Sequence, residues 1–251
     1  MKPNPTSALL IIGDEILSGR TQDKNIQYIA QNLGKIGVSL SEVRVVPDVK
    51  DEIIQALNHL RAKYNYLFTT GGIGPTHDDI TAESVAEAFK TELYRDEKAY
   101  LLLENYYGRE NLNEGRIKMS YVPRGSVLID NPVTIAPGFK MENVFVLAGV
   151  PKIMQAMFEY ALPHLEHGVE VRSVTLLVHV AESILAAAMT KLQEKFKDDV
   201  TIGSYPFMHG DQYQFKGVHV VFRSRSLEIA EQALKELEDE ARTLNLKFER
   251  I

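Results

Sequence analysis

Cysteine is absent from all 251 residues, which excludes disulfides, thiolate metal sites and cysteine nucleophiles. Nothing then requires secretion, and the cytoplasm is the expected compartment. Also absent is any apolar run of about 18 residues, the length of a membrane helix. The amino-terminal stretch MKPNPTSALLIIGDE has a short apolar run that Asp14 and Glu15 end too early for a signal peptide, so no membrane partner is expected. Positive charge is not in excess either. The formal net charge is −6 and no basic stripe follows one face, which argues against a duplex nucleic-acid partner. Internal repeats and low-complexity tracts are missing too.

What remains is the balance of a folded soluble chain, 45% hydrophobic and 25% charged, so disordered and fibrous classes drop out. The length suits one large or two modest domains.

Ser7 to Ile12 is a continuous apolar run ending at Gly13, the mark of a strand buried on both faces. Between Lys24 and Ile36 the apolar Ile26, Ile29, Ala30 and Leu33 recur at helical spacing, and Gly37 suits the left-handed stop. A strand over Val43 to Val46, a helix over Asp51 to Lys63, a strand over Tyr66 to Thr70 and a helix from Thr81 to Phe89 follow. This alternation predicts a parallel sheet with helices on both faces. Asp96 to Tyr107 reads as a helix and the polar Gly108 to Arg116 as a loop. Strands are expected at Val127 to Ile129 and Val144 to Leu147, separated by the turn-rich NPVTIAPGFK. Pro151 suits the first turn of a helix from Ile153 to Leu162.

Beyond Pro163 the order becomes strand (Glu170 to Val180), helix (Glu182 to Phe196), strand (Val200 to Tyr205), strand (Tyr213 to Phe222) and helix (Leu227 to Leu244), with Tyr205 to His209 read as a semi-apolar turn. That order predicts a small α+β domain with an antiparallel sheet. The expected domains are residues 1–165 and 169–251. The strand from Tyr213 has apolar residues on both faces towards its end, and a domain of this size leaves sheet edges in need of cover. A homodimer is therefore expected.

In an open parallel sheet, ligands bind beyond the carboxyl ends of the strands. There the first strand runs into Gly13-Asp14-Glu15, the second into Pro47-Asp48, and the third into Gly71-Gly72-Ile73-Gly74-Pro75-Thr76-His77-Asp78-Asp79-Ile80-Thr81. Four carboxylates, Asp14, Asp48, Asp78 and Asp79, thus reach one edge. Any one of them is also open to reading as a helix N-cap. Glycines let backbone N–H groups approach a phosphate near the helix start at Thr81, whereas carboxylates repel that phosphate unless a divalent cation lies between them. Magnesium is the expected ion, with manganese or cobalt as substitutes. His77 is open to ligation, phosphate contact or a surface role. Lys24 and Asn25 are open to phosphate contact or a solvated first turn, and His164 and His167 to metal binding or helix-end placement.

The set Gly13-Asp14-Glu15, Pro47-Asp48, GGIGPTHDDIT, Pro137-Gly138 and Gly149-Val150-Pro151 resembles the molybdopterin-binding fold shared by MoaB and Mog proteins, the gephyrin G domain and the amino-terminal domain of CinA. The resemblance covers roughly residues 7 to 165. The form GGIGPTHDD and the later Ile202-Gly203-Ser204-Tyr205-Pro206 are most similar to the branch of CinA and of FAD-synthase-linked domains.

The resemblance implies a three-layer αβα domain with a mostly parallel sheet that binds a phosphorylated pterin or nucleotide, often as a dimer or trimer. It implies functional roles for Asp48 and Asp79, an acidic residue at Asp14, and a phosphate loop at Gly71, Gly72 and Gly74. Gly13, Pro75, Thr76, His77 and Thr81 complete the expected binding set; Asp14, Asp48, Asp78 and Asp79 are the expected metal ligands. The activity implied by the CinA-type domain is metal-dependent hydrolysis of a nucleotide pyrophosphate such as ADP-ribose or FAD. Adenylyl or metal transfer to molybdopterin, and nucleotide binding without chemistry, are the alternatives. Leu147-Ala148-Gly149-Val150-Pro151 departs from the family's Leu-Pro-Gly-Val-Pro. Neither CinA's carboxyl-terminal amidase nor an adenylyltransferase domain is present in the sequence, so neither activity is expected.

Overall fold

The computed structural model describes residues 3–209 and 214–251. The chain forms two compact units, Met1–Gly168 and Val169–Ile251. Unit one runs β1 (Thr6–Ile12), α1 (Asp14–Leu17), α2 (Asn25–Lys35), β2 (Ser39–Val46), α3 (Lys50–Lys63), β3 (Tyr66–Thr70), α4 (Thr81–Ala88), β4 (Leu93–Arg95), α5 (Glu97–Tyr107), α6 (Glu114–Lys118), β5 (Tyr121–Pro123), β6 (Val127–Ile129), β7 (Gly138–Met141), β8 (Val144–Leu147) and α7 (Pro151–Ala161). Its main sheet has the order β2-β1-β3-β8-β7-β6, while β4 and β5 pair separately. β2, β1, β3 and β8 are mutually parallel, and β7 and β6 extend the sheet antiparallel.

The continuous apolar run of β1 follows from burial on both faces. Ala8, Leu10 and Ile12 pack with Ile53, Leu57 and Leu60 of α3 and Val85 of α4. Leu9 and Ile11 pack with Ile29 and Leu33 of α2 and Met154 and Phe158 of α7. Each fully buried Leu or Ile contributes about 1.5–3 kcal/mol. The result is the three-layer αβα arrangement, with Phe68 stacked on Phe145 at 5.1 Å in the second layer. Gly37 takes φ 69° after α2, the left-handed stop that its sequence position predicts.

Three expectations are corrected. Gly108 to Arg116 is not a loop: a 3-10 turn at Arg109–Asn111 leads into α6, whose first turn is capped by the Asn113 side chain accepting from the Arg116 N–H at 3.0 Å. Arg116 then stacks 4.1 Å over Tyr107, which ties the segment to α5. The turn-rich NPVTIAPGFK contains a real turn up to Ala136 but ends in β7.

The third correction lies in unit two, which runs β9 (Arg172–Val178), α8 (Glu182–Lys195), β10 (Val200–His209), β11 (Gln214–Ser224), α9 (Leu227–Thr243) and β12 (Phe248–Arg250). Its antiparallel sheet has the order β10-β11-β9-β12. The expected turn at Tyr205 to His209 is the second half of β10, paired with β11 as far as His209 opposite Gln214. Tyr213 lies outside the described residues. β11 is an interior strand, and its Val218, Val220 and Phe222 join Leu234 and Leu237 of α9 in the core. Among the described residues no helix is long and apolar enough to cross a membrane.

Candidate functional site

Because β2, β1, β3 and β8 are parallel neighbours, the segments leaving their carboxyl ends share one edge of the sheet. They enclose a cleft of about 600 Å³. It is lined by Gly13, Gly71 to Pro75 and Ala148 to Pro151, by the carboxylates Glu15, Asp48, Asp78 and Asp79, and by Tyr107, Met119, Asn131, Thr134 and Ala136.

The glycine loop is held from beneath. Gly71 has φ 104°, and a Cβ there would run into the Ile12 carbonyl. Thr81 is fully buried; its hydroxyl donates to the Gly71 carbonyl at 2.9 Å and its N–H to the Gly72 carbonyl at 2.9 Å. Thr81, expected to bind ligand, thus supports the loop from below. At Gly74 an added Cβ would stand 2.7 Å from Oδ2 of Asp79, so that glycine makes room for a carboxylate. Thr76 donates its N–H and its hydroxyl to this Oδ2.

Asp48 is half-buried, and its Oδ2 accepts the Asp14 N–H at 3.0 Å. Burial raises its pKa from the ordinary aspartate value; the Asp14 N–H opposes this, and the charges of Asp14, Glu15 and Asp78 add to it. Asp78 is shifted the other way, chiefly by the Thr76 hydroxyl and by its own N–H, with His77 and Lys118 adding attraction. That hydroxyl has one proton, and the 2.5 Å contact gives it to Asp79.

Asp14 stands beside Asp48, on which its charge acts. It opens α1, its N–H turned to Asp48, while Glu15 reaches the cleft and folds its carboxylate over Gly13, within 2.5 Å of where a Cβ would stand. His77 is 98% exposed in its side chain and faces solvent beside Asp78. Asn25 is buried and donates to the Gly149 carbonyl at 2.9 Å, supporting the cleft lining; Lys24 is exposed. His164 packs near Phe145, at 6.4 Å between rings, and His167 is exposed.

The expected ligand set Asp14, Asp48, Asp78 and Asp79 does not converge: among the described residues no three His, Asp or Glu side chains form a metal-holding group. A preformed cage is not what Mg²⁺ needs, since it commonly takes one or two carboxylates and completes its shell with water and phosphate oxygens. Asp48, Asp78 and Glu15 all line the cleft, and one or two of their hard oxygens fit that requirement.

Lys118 escaped the sequence reading. Its Nζ donates to the Thr76 carbonyl at 2.5 Å, from a short polar helix that carries no apolar period. Asn131 was also missed. Its amide donates to Thr134 Oγ1 and the Ala136 carbonyl and accepts the N–H groups of Val133 and Thr134, shaping the turn in which Ile135 takes φ 69°.

Residues 8–167 match the family model described as probable molybdopterin binding domain, and residues 170–246 match the middle domain of FAD synthase. A protein of Archaeoglobus fulgidus is 34% identical over 92% of this chain and 96% of its own length. A probable FAD synthase of Caenorhabditis briggsae is 31% identical over 92% of this chain, which spans about half of that relative, 49%. The crystal structure of the protein CinA from Thermoplasma acidophilum, of unknown function, superposes with a TM-score of 0.61 at 32% identity, covering 65% of this chain and 99% of that one.

Proposed function

As the chain belongs to the molybdopterin-binding domain family, we propose that its cleft takes a phosphorylated nucleotide or pterin and that the protein is a divalent-metal-dependent hydrolase of a nucleotide pyrophosphate, of the ADP-ribose or FAD class. The observation that carries this reading is Asp48: a half-buried carboxylate, raised in pKa, beside a glycine loop at the carboxyl edge of a parallel sheet.

Two features support phosphate binding. Gly71 and Gly72 present backbone without side chains, and α7 opens on the cleft at Val150 and Pro151 with no side-chain cap, leaving its positive end for an anion. Carboxylates around the same cleft support a cation as the third component. Bound by Asp78 and Glu15, a divalent ion would screen the diphosphate charge and acidify a water. Asp48 is the base suited to a water that enters the cleft beside the diphosphate. As its oxygen attacks one phosphorus, the proton passes to Asp48 and the bridging P–O bond breaks, with the leaving phosphate taking the electron pair. Asp79 holds, through Thr76, the loop that positions the phosphate, and its charge in the cleft would help to hold the cation.

The test is incubation with ADP-ribose or FAD under Mg²⁺, Mn²⁺ and Co²⁺ in turn. Release of mononucleotide stimulated by at least one ion is expected, and no release under any ion would refute the hydrolase reading.

A further inference from the structure

The side chains lining the cleft are four carboxylates, Glu15, Asp48, Asp78 and Asp79, together with uncharged groups; no Lys, Arg or His is among them within the described residues. A phosphorylated ligand would find no positive side chain in that lining. A smaller pocket adjoins it, sharing Gly72, Ile73, Gly74, Asp79 and Met119, and adds one cation, Lys118, near Glu83.

The placement of Lys118 is specific. Gly115 lies where a Cβ would stand 2.7 Å from the Pro75 carbonyl, so only a glycine lets α6 lie this close to the loop. Three residues on, along the same helix face, Lys118 Nζ meets the Thr76 carbonyl. Its partner is neutral: among the described residues Lys118 forms no ion pair within 4.0 Å, although Asp78, Asp79 and Glu83 are close by in the two pockets. An ammonium has three N–H donors, and one is used. Two remain beside the glycine turn.

We infer that Lys118 is a ligand-binding residue that meets a phosphate oxygen at the Gly72–Gly74 turn, one N–H staying on the Thr76 carbonyl while another donates to the phosphate. The loop carbonyl then fixes the ammonium before the ligand arrives, which lowers the entropy lost on binding. This rests on the reading of the cleft as a phosphate site, and it holds whether or not the bound diphosphate is cleaved.

The experiment titrates ADP and adenosine, each with Mg²⁺, into the wild-type protein and Lys118→Met. Loss of one charge-assisted hydrogen bond should weaken ADP binding about tenfold and leave adenosine binding unchanged. A second measurement needs no variant: on the wild-type protein, saturating ADP should protect Lys118 from acetic anhydride labelling, read by mass spectrometry, and adenosine should not. ADP affinity within twofold of wild type in Lys118→Met, equal losses for ADP and adenosine, or labelling unaffected by bound ADP would each overturn the assignment. Failure of the wild-type protein to bind ADP would overturn the phosphate reading and this one together. ADP bound normally without turnover of any pyrophosphate would count against hydrolysis alone.

Discussion

Thr76 donates its backbone N–H, at 2.8 Å, and its hydroxyl, at 2.5 Å, to a single oxygen of Asp79. This clamp closes the turn between the glycines and α4, and it separates two roles for Asp79, loop support and negative charge. Asp79→Asn keeps an oxygen acceptor and removes the charge. Its melting temperature should match wild type, while pyrophosphate hydrolysis falls at least about tenfold, within the range of acid–base and charge contributions. A wild-type rate in the Asn variant would mean that Asp79 serves the loop alone.

Asp48 should govern the pH dependence. As the base it must be ionised, so kcat/KM is expected to rise with pH along an acid limb set by Asp48. Asp48→Asn should abolish that limb along with most of the activity. Stability should move the opposite way. A carboxyl whose pKa is raised by folding contributes stability that is fully present below its unfolded pKa and lost as pH rises through the folded one. Asp48→Asn is therefore expected to melt above wild type at neutral pH, the difference vanishing in acid. Thermal melts across pH read it directly, and a variant less stable at pH 7 would contradict the electrostatic account.

Gly71 stands at φ 104° with its missing Cβ aimed at the Ile12 carbonyl. Gly71→Ala should cost about 1–3 kcal/mol for the backbone conformation alone, with the clash added, seen as a lower midpoint in urea unfolding. Gly72→Val meets φ 67° and the Thr81 hydroxyl, so it should lose stability as well as ligand affinity. Unchanged midpoints would show that the loop is free to adopt another path.

Much of this fold was legible from sequence because parallel strands buried on both faces leave uninterrupted apolar runs: β8 spans Val144 to Leu147 as its run does, and β1 adds only Thr6 to the run from Ser7 to Ile12. β4, β5 and β12 have three residues each, too few to show a period. β7 hid behind the loop that Asn131 organises. At the site, the strand ends delivering Asp48 and the glycines were visible. The place of Glu15 in the cleft lining was not, since it depends on how a four-residue helix turns after Gly13. Lys118 was invisible for a similar reason, its position depending on the contact of Gly115 with Pro75.

Assembly remains a proposal with a direct check. In unit two the ten-residue β10 lies at the edge of its sheet, and long edges invite pairing with another strand. A homodimer is expected, so light scattering should give twice the 28.3 kDa chain mass. A mass equal to one chain would contradict it.

The most direct test of the central claim follows AMP release from ADP-ribose in wild type and Asp48→Asn, with Mg²⁺, Mn²⁺ or Co²⁺ and again after chelation by EDTA. The account predicts stoichiometric AMP and ribose 5-phosphate from the wild-type protein with at least one ion, abolished by EDTA and reduced about a hundredfold or more by Asp48→Asn. AMP release that persists equally in Asp48→Asn, or that ignores EDTA, would contradict it.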